Sequence, residues 1–199
     1  MSARKGILGG TFNPPHLAHL IVAHEVREAM ALDRVVLIPT ASHPFKGEAA
    51  ASPRDRAAMA ELAVAGDPWL SADRIEVQRG GTSYTVDTLR ELKEREPETE
   101  WHLIVGSDNL PDLDRWREAG ALSELAHLVV ITRGSPSRVE LPFGRRSTLV
   151  AVPVLDISST AVRERVAAGR SIRYWVPPGV EAYIRQHGLY RPAGADGSY

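Results

Sequence analysis

Short aliphatic runs alternate along the chain with longer stretches in which apolar residues recur every three or four positions. An unbroken aliphatic run predicts a strand that is buried on both faces, and the longer spacing predicts an amphipathic helix. The predicted strands are 6–9, 35–39, 70–77, 101–106, 128–131 and 149–154, and the predicted helices are 17–30, 54–65, 85–95, 119–125, 159–168 and 180–187. This alternation predicts an α/β fold with a doubly wound, mostly parallel sheet and helices on both faces.

The chain length of 199 residues suits a single domain, and we expect an ordered core over about residues 6–190 with a flexible tail over 191–199. Stretches rich in Gly, Pro, Ser or Ala predict flexible loops. These stretches are 47–52, 134–146 and the tail from Pro192.

The composition narrows the class of protein. Hydrophobic residues make up 43% of the chain and charged residues 25%, which is typical of a globular protein and excludes disorder of the whole chain. The 24 basic and 25 acidic side chains give a net charge of -1, so the chain has no overall basic field and we expect no nucleic-acid partner. An anionic ligand would have to be bound by a local site.

The chain contains no cysteine, which excludes disulfides, thiolate metal sites and a cysteine nucleophile. No apolar run approaches the roughly 18 residues of a membrane span, and the first residues lack the apolar stretch of a signal peptide. We therefore expect a cytoplasmic protein without a membrane partner.

The first strand-to-helix turn is the most informative stretch, because ligands of doubly wound sheets bind at the C-terminal ends of strands. Residues 9–19 read Gly-Gly-Thr-Phe-Asn-Pro-Pro-His-Leu-Ala-His. The two glycines allow the backbone to approach a ligand closely, and free amides at the start of the next helix favour an anion. His16 and His19 are three residues apart, so they would share one helix face and could hydrogen-bond a phosphate.

Each of these features also has an ordinary explanation. A Gly-Gly pair is commonly just a turn, and two histidines at this spacing are commonly surface or core residues. A metal site would need a third ligand, and His24 is five residues after His19 and off that face. The turn is neither a dinucleotide fingerprint nor a Walker loop, because it lacks Gly-x-Gly-x-x-Gly and Gly-Lys-Ser/Thr.

A second polar block, Asp-Ile-Ser-Ser-Thr-Ala-Val-Arg, covers residues 156–163. It places hydroxyl groups at a helix start and Arg163 one turn inside the helix, an arrangement suited to phosphate oxygens. A plain helix cap would explain Ser158 or Thr160 taken alone.

The middle of the chain contains candidates for a second substrate. Residues 79–89 read Arg-Gly-Gly-Thr-Ser-Tyr-Thr-Val-Asp-Thr-Leu, and the free amides at this helix start suit a carboxylate. Asp108 follows a predicted strand, where it could hold a ribose hydroxyl or a hydrated metal, and Trp116 offers a face for a flat ring. An ordinary capped helix and ordinary packing of the indole are the alternatives.

These blocks, in this order, resemble the motifs of the His-x-Gly-His nucleotidyltransferase superfamily, and more closely those of bacterial nicotinate-nucleotide adenylyltransferases. The first block resembles Gly-Gly-Thr-Phe-Asp-Pro-x-His-x-Gly-His, and the last contains Ile-Ser-x-Thr-x-x-Arg without change. The middle block resembles Arg-x-Gly-x-Ser-Tyr-Thr-x-x-Thr-Leu, and the resemblance extends from about residue 6 to residue 190. Asn13 replaces the Asp of the family and Ala18 its Gly, but neither exchange removes a group that would bind phosphate.

The resemblance implies a Rossmann-like nucleotidyltransferase fold and specific residue roles. The residues expected to bind ATP are Gly9, Gly10, Thr11, Phe12, His16, His19, Ser158, Thr160 and Arg163. The residues expected to bind the acceptor nucleotide are Ser83, Tyr84, Thr85, Asp108 and Trp116. The residues expected to be catalytic are His16, His19, Lys46 and Arg163. Lys46 matches the end of the family's Pro-Pro-His-Lys, although Phe45 stands where that motif has His.

The implied reaction is transfer of AMP from ATP to nicotinate mononucleotide, which forms deamido-NAD and pyrophosphate in NAD biosynthesis. The acceptor phosphate is already a nucleophile near neutral pH, so in-line attack needs neither a general base nor a covalent intermediate. Mg²⁺ is expected to arrive with ATP rather than to occupy a dedicated protein site.

Other functions stay open at this point. The chain could be another adenylyl- or cytidylyltransferase of the superfamily, for example one acting on phosphopantetheine, or a nucleotide-binding module without catalysis. A structural interaction protein would have no use for so many polar residues. The choice between nicotinate and nicotinamide mononucleotide and the oligomeric state, with a homo-oligomer as one alternative, are not fixed by the sequence.

Overall fold

The computed structural model describes residues 2–44, 47, 49–134 and 140–192. Its strands are β1 (Arg4–Gly10), β2 (Arg34–Pro39), β3 (Leu70–Ala72), β4 (Glu100–Gly106), β5 (His127–Arg133) and β6 (Ser147–Val152). Its α-helices are α1 (Leu17–Ala29), α2 (Pro53–Val64), α3 (Ile75–Arg79), α4 (Thr85–Arg95), α5 (Ala119–Leu125), α6 (Ser159–Ala167) and α7 (Pro178–Gln186). Two 3₁₀-helices cover Ser107–Arg115 and Gly144–Arg146.

The six strands form one sheet in the order β3-β2-β1-β4-β5-β6, and every neighbouring pair is parallel. Adjacent residues of β1 belong to different hydrophobic clusters, since successive side chains of a strand point to opposite faces. Ile7 is clustered with Leu89 of α4 and Leu122 of α5, whereas Leu8 is clustered with Val26 of α1. Helices therefore cover both faces, and the predicted α/β class with a doubly wound sheet is confirmed.

A third hydrophobic cluster joins helices from the middle and the end of the chain. Met59 of α2, Val162 of α6 and Val180 of α7 are all fully buried in it. The backbone N–H of Leu17, the first residue of α1, donates to the carbonyl of Trp175 just before α7 (2.9 Å). These contacts place the start of α6 beside the turn that connects β1 to α1.

Most predicted elements match the structure within two residues at each end, and the helices over 85–95 and 119–125 match it at both ends. The predicted strand over 70–77 was wrong in its second half. Oδ1 of Asp73 accepts a hydrogen bond from the backbone N–H of Ile75 (2.8 Å), which turns the chain into α3 after only three strand residues.

The 3₁₀-helix over Ser107–Arg115 was not predicted, because its sequence is mostly polar and contains Pro111, which is unfavourable inside an α-helix. Of the predicted flexible stretches, residues 48, 135–139 and 193–199 lie outside the described residues.

In the part of the chain that is described, no helix is long and apolar enough to cross a bilayer.

Candidate active site

A cavity of about 480 Å³ opens at the C-terminal edge of the sheet. It lies at the ends of β1 and β4, where the order of the strands reverses, and ligands of doubly wound sheets bind at such a reversal. The residues that line it include Gly9, Gly10, Thr11, Thr40, His43, Ser83, Tyr84, Thr85, Asn109, Asp112, Trp116 and Arg117. Part of the predicted ATP site and most of the predicted acceptor site therefore share one cavity.

The turn after β1 is shaped by Gly9, Gly10 and Phe12. A Cβ at Gly9 would meet no atom within 4 Å, so this stretch of backbone lies against open space. A Cβ at Gly10 would lie 3.2 Å from the ring of Phe12, which is tight. Phe12 has a φ of +47°, is 2% exposed and packs edge-on against the ring of His19 at 5.0 Å. The side chain of Phe12 therefore supports His19, while residues 9–11 line the cavity.

His16 and His19 form a stacked pair at the start of α1, with ring centroids 3.7 Å apart. The backbone N–H of His16 donates to Nδ1 of His19 (3.1 Å). An imidazole nitrogen that accepts a hydrogen bond carries no proton, so the neutral ring of His19 has Nε2 as its donor. Nδ1 of His16 is buried and has no hydrogen-bond partner among the described residues, which is typical of a group that meets a ligand.

Burial keeps both imidazoles neutral. Desolvation, helped by the positive charge of Arg133, lowers the pKa of His16 from 6.5 to about 4. Desolvation also holds the pKa of His19 well below 6.5, with further contributions from His16 and Arg133. A phosphate bound here would raise both pKa values, because its negative charge favours the imidazolium form. The pair is therefore a set of neutral donors that can gain positive charge when an anion binds.

The start of α6 is attached to the turn after β1. Nη1 of Arg163 donates to the carbonyl of Asn13 (2.8 Å), and the hydroxyl of Ser159 donates to the carbonyl of Pro14 (2.8 Å). The two pairs are 150 and 145 residues apart along the chain, respectively. The structure thus joins the two motifs that the sequence places at opposite ends.

The two predicted hydroxyl ligands lie on the same helix start and are exposed. Ser158 is the N-cap of α6, and its side chain accepts a hydrogen bond from the N–H of Ala161 (3.1 Å). Oγ1 of Thr160 accepts a hydrogen bond from Nη2 of Arg163 (3.1 Å). In this structure both hydroxyls therefore support α6 and Arg163.

Asn13 is buried and holds two segments that are distant in the sequence. Its Oδ1 accepts hydrogen bonds from the N–H of Ala51 (3.2 Å) and from the hydroxyl of Tyr190 (2.9 Å). Burial raises the pKa of Tyr190 far above its ordinary value, so the hydroxyl keeps the proton that it donates. An amide oxygen satisfies both donors without a charge, which explains how Asn fits where the family has Asp.

One wall of the cavity consists of predicted acceptor residues, namely Ser83, Tyr84, Thr85 and Trp116. Ser83 is buried, and its Oγ accepts a hydrogen bond from the N–H of Ala41 (2.9 Å), so it joins this wall to the loop after β2. Tyr84 is the N-cap of α4, and the guanidinium of Arg117 lies 4.9 Å from the centre of its ring. Aromatic rings beside a cation suit a flat ligand that carries negative charge.

Asp108 follows the end of β4 as predicted, but it is not among the described residues that line the cavity. The chain enters a 3₁₀-helix directly after β4, and its repeat of three residues turns Asn109 and Asp112 toward the cavity instead. Lys46 lies outside the described residues, together with Phe45, so its role stays a prediction.

Three arginines at or near the site were missed by the sequence analysis. Arg133 is the last residue of β5, at the ligand-binding edge, and its position just after the aliphatic run could have identified it. Arg56 occupies an apolar position in the helical repeat with Met59, which indicates burial. Arg117 follows an unpredicted 3₁₀-helix, and no pattern in the sequence distinguishes it.

The family model described as "Cytidylyltransferase-like" matches residues 7–165, which is most of the chain. This match, the doubly wound sheet and the histidine pair at the reversal of strand order define the chain as a nucleotidyltransferase.

Comparisons along the whole chain are more specific. A protein of Roseiflexus sp. (strain RS-1) is 47% identical over 199 residues, with 96% of this chain and 99% of that protein covered. A protein of Thermus thermophilus is 44% identical over 188 residues, with 94% and 100% covered. Each is named "Probable nicotinate-nucleotide adenylyltransferase". The chain belongs to the nicotinate-nucleotide adenylyltransferase family, and the resemblance inferred from the motifs is confirmed.

A solved structure supports the fold independently. The Plasmodium falciparum nicotinic acid mononucleotide adenylyltransferase complexed with NaAD superimposes with a TM-score of 0.74 at 20% identity. The match covers 94% of this chain and 97% of that one, so the two proteins share their fold over nearly their whole length.

The low pKa of His16 predicts a loss of stability in acid. The unfolded chain binds a proton near pH 6.5, whereas folded His16 does so only near pH 4, so stability is complete above 6.5 and falls as the pH drops toward 4. The unfolding free energy of the unaltered protein should therefore be lower at about pH 5 than at about pH 7.5. His16→Gln should reduce this difference by about 2 kcal/mol, measured by urea denaturation at both pH values. An unchanged pH dependence in the variant would contradict the neutral, buried state of this ring.

Proposed function

We propose that this protein transfers AMP from ATP to nicotinate mononucleotide, forming deamido-NAD and pyrophosphate. One observation supports the proposal most: a single cavity whose lining extends from Gly9, Gly10 and Thr11 to Tyr84 and Trp116. A cavity of this extent would hold a donor and an acceptor nucleotide with their phosphates meeting between β1 and β4.

The donor triphosphate would bind where the turn after β1 meets α1 and α6. The start of α1 supplies the positive end of a helix dipole, and Nε2 of His19 and the unpartnered Nδ1 of His16 belong to the same first turn. Arg163 uses one donor each for Asn13 and Thr160, and a guanidinium has five N–H donors, so others are available to phosphate oxygens.

The acceptor would bind against the wall formed by α4 and the 3₁₀-helix. Tyr84 and Trp116 offer aromatic faces for a pyridine ring, and the backbone N–H groups at Thr85 begin a helix, where an anion is favoured. The Arg117 guanidinium beside Tyr84 donates to Asp87 (3.1 Å), and its remaining N–H donors would favour a carboxylate over a neutral amide. These contacts favour nicotinate mononucleotide over nicotinamide mononucleotide.

In the chemical step, an oxygen of the acceptor phosphate forms a bond to the α-phosphorus of ATP. The bond from that phosphorus to the bridging oxygen breaks, and its electron pair leaves with pyrophosphate. Since the acceptor phosphate is ionised near neutral pH, no residue has to remove a proton. The protein would contribute alignment of the two phosphates and donors that stabilise negative charge on the α-phosphate and on pyrophosphate.

Membership of a nucleotidyltransferase family suggests that a divalent metal ion accompanies ATP, and we propose that this ion is Mg²⁺. The described residues contain no group of three or more His, Asp or Glu side chains that could hold a metal ion alone. Mg²⁺ usually needs only one or two carboxylates beside substrate phosphates, and Asp108 and Asp112, both exposed after β4, fit this requirement. The ion would supply charge neutralisation for the departing pyrophosphate.

The choice of acceptor tests this proposal directly. With ATP and Mg²⁺, we expect pyrophosphate release with nicotinate mononucleotide at a kcat/KM about tenfold or more above that with nicotinamide mononucleotide, the worth of one or two hydrogen bonds. Faster release with phosphopantetheine would assign the protein to another branch of the superfamily. Binding of ATP without pyrophosphate release from any acceptor would indicate a module without catalysis.

The role of the histidine pair is tested by His19→Ala. Loss of one preorganised donor should lower kcat by about 10² to 10³, measured as pyrophosphate release under saturating substrates. The matched control is His24→Ala on the same helix, because Nε2 of His24 contacts Oδ2 of Asp67 (2.7 Å), whereas His19 packs against Phe12 and His16. The control should keep kcat within about twofold, and near-full activity of His19→Ala would overturn the assignment.

A further inference from the structure

Arg56 of α2 is 2% exposed, although arginine is rarely fully buried unless it is paired. Its guanidinium donates three hydrogen bonds, from Nη1 to the carbonyl of Thr11 (2.8 Å), from Nη2 to that of Ala41 (2.9 Å) and from Nε to that of Ala51 (3.3 Å). All three partners are neutral backbone groups. Burying a charge against such partners is costly, so packing alone does not explain an arginine here.

The three carbonyls belong to two connections of the sheet. Thr11 is in the turn after β1, whereas Ala41 and Ala51 lie near the two ends of the loop from β2 to α2. The three hydrogen bonds start from three different nitrogens of one planar group, whereas an ammonium group would have to donate all three from a single nitrogen. Arg56 therefore fixes the distance between these two connections.

Both connections reach residues that line the cavity. Thr11 lines it next to Gly10, among the residues proposed for ATP. The N–H of Ala41 donates to Oγ of Ser83, which is among the residues proposed for the acceptor. The chain of contacts Thr11, Arg56, Ala41 and Ser83 thus links the two sets of lining residues through four groups.

Ala51, the third partner, strengthens the same arrangement. Its N–H donates to Oδ1 of Asn13, so one peptide segment contacts both Arg56 and the turn after β1. Arg163 binds the carbonyl of Asn13 from the other side. The turn is consequently held through Arg56 on the α2 side and through Arg163 on the α6 side.

We propose that Arg56 is a positioning residue for adenylyl transfer, which holds the ATP side and the acceptor side of the cavity at the separation that in-line attack requires. This inference rests on the proposed function. Arg56 contacts neither the reacting atoms nor the imidazoles, so each substrate would still find its own contacts without it. What would be lost is their alignment, and a misplacement of about 1 Å can cost about 10² in rate.

The test compares Arg56→Met, Arg56→Lys and Arg54→Met with the unaltered protein. Calorimetric titration with ATP gives the number of sites per chain that bind ATP, which we call competent sites. Pyrophosphate release with nicotinate mononucleotide then gives kcat per competent site and the KM values for both substrates. We expect kcat per competent site to fall about 100-fold in Arg56→Met and about 30-fold in Arg56→Lys, with both KM values within about threefold. Arg54 is exposed on the same helix, and its variant should stay within about twofold.

A purely structural role would lower the melting temperature and the number of competent sites but leave kcat per competent site unchanged. That result in either Arg56 variant would overturn the proposal, as would a rise in the KM for ATP with normal kcat. Arg56→Lys keeps the charge and most of the volume, so the test does not depend on whether Arg56→Met folds. Absence of turnover in the unaltered protein would instead refute the proposed function.

Discussion

The site depends on a turn whose carbonyl groups are bound by side chains from distant parts of the chain. The pairs are Thr11 with Arg56, Asn13 with Arg163 and Pro14 with Ser159. Buried carbonyls need partners, and this turn obtains them from α2 and α6. This turn therefore requires the third hydrophobic cluster, which packs α2, α6 and α7 together. This dependence explains why residues at both ends of the chain belong to one site.

The electrostatics of the site reconcile a net charge of -1 with strongly anionic ligands. Fixed positive charge is supplied by arginines at one edge of the sheet, while burial and Arg133 keep the two imidazoles neutral in the free protein. The neutral imidazoles of His16 and His19 beside Arg133 would each bind a proton more readily when a phosphate binds. In the proposed mechanism no residue removes a proton, so the chemistry would rely on alignment and charge stabilisation, and both would depend on the rigidity of the turn after β1.

Much of the fold could be predicted, because aliphatic runs and helical periodicity are local signals, and α4 was bounded correctly at both ends. The strand over 70–77 was overextended because one side chain, that of Asp73, ends it by binding the backbone. Site residues that share a short motif, such as His16 and His19, were found together. Arg56 was missed because its partners, at residues 11, 41 and 51, are brought to it only by the folded chain.

The central claim is that AMP passes directly from ATP to the acceptor, with both substrates aligned across one cavity. The most direct measurement uses ATP in which one sulfur replaces a non-bridging oxygen of the α-phosphate, so that this phosphorus has a known configuration. The configuration of the same phosphorus is then determined in the dinucleotide product. Direct in-line attack inverts the configuration once, so the product should be fully inverted. Retention would require two displacements through an adenylylated side chain and would contradict the mechanism proposed for this site.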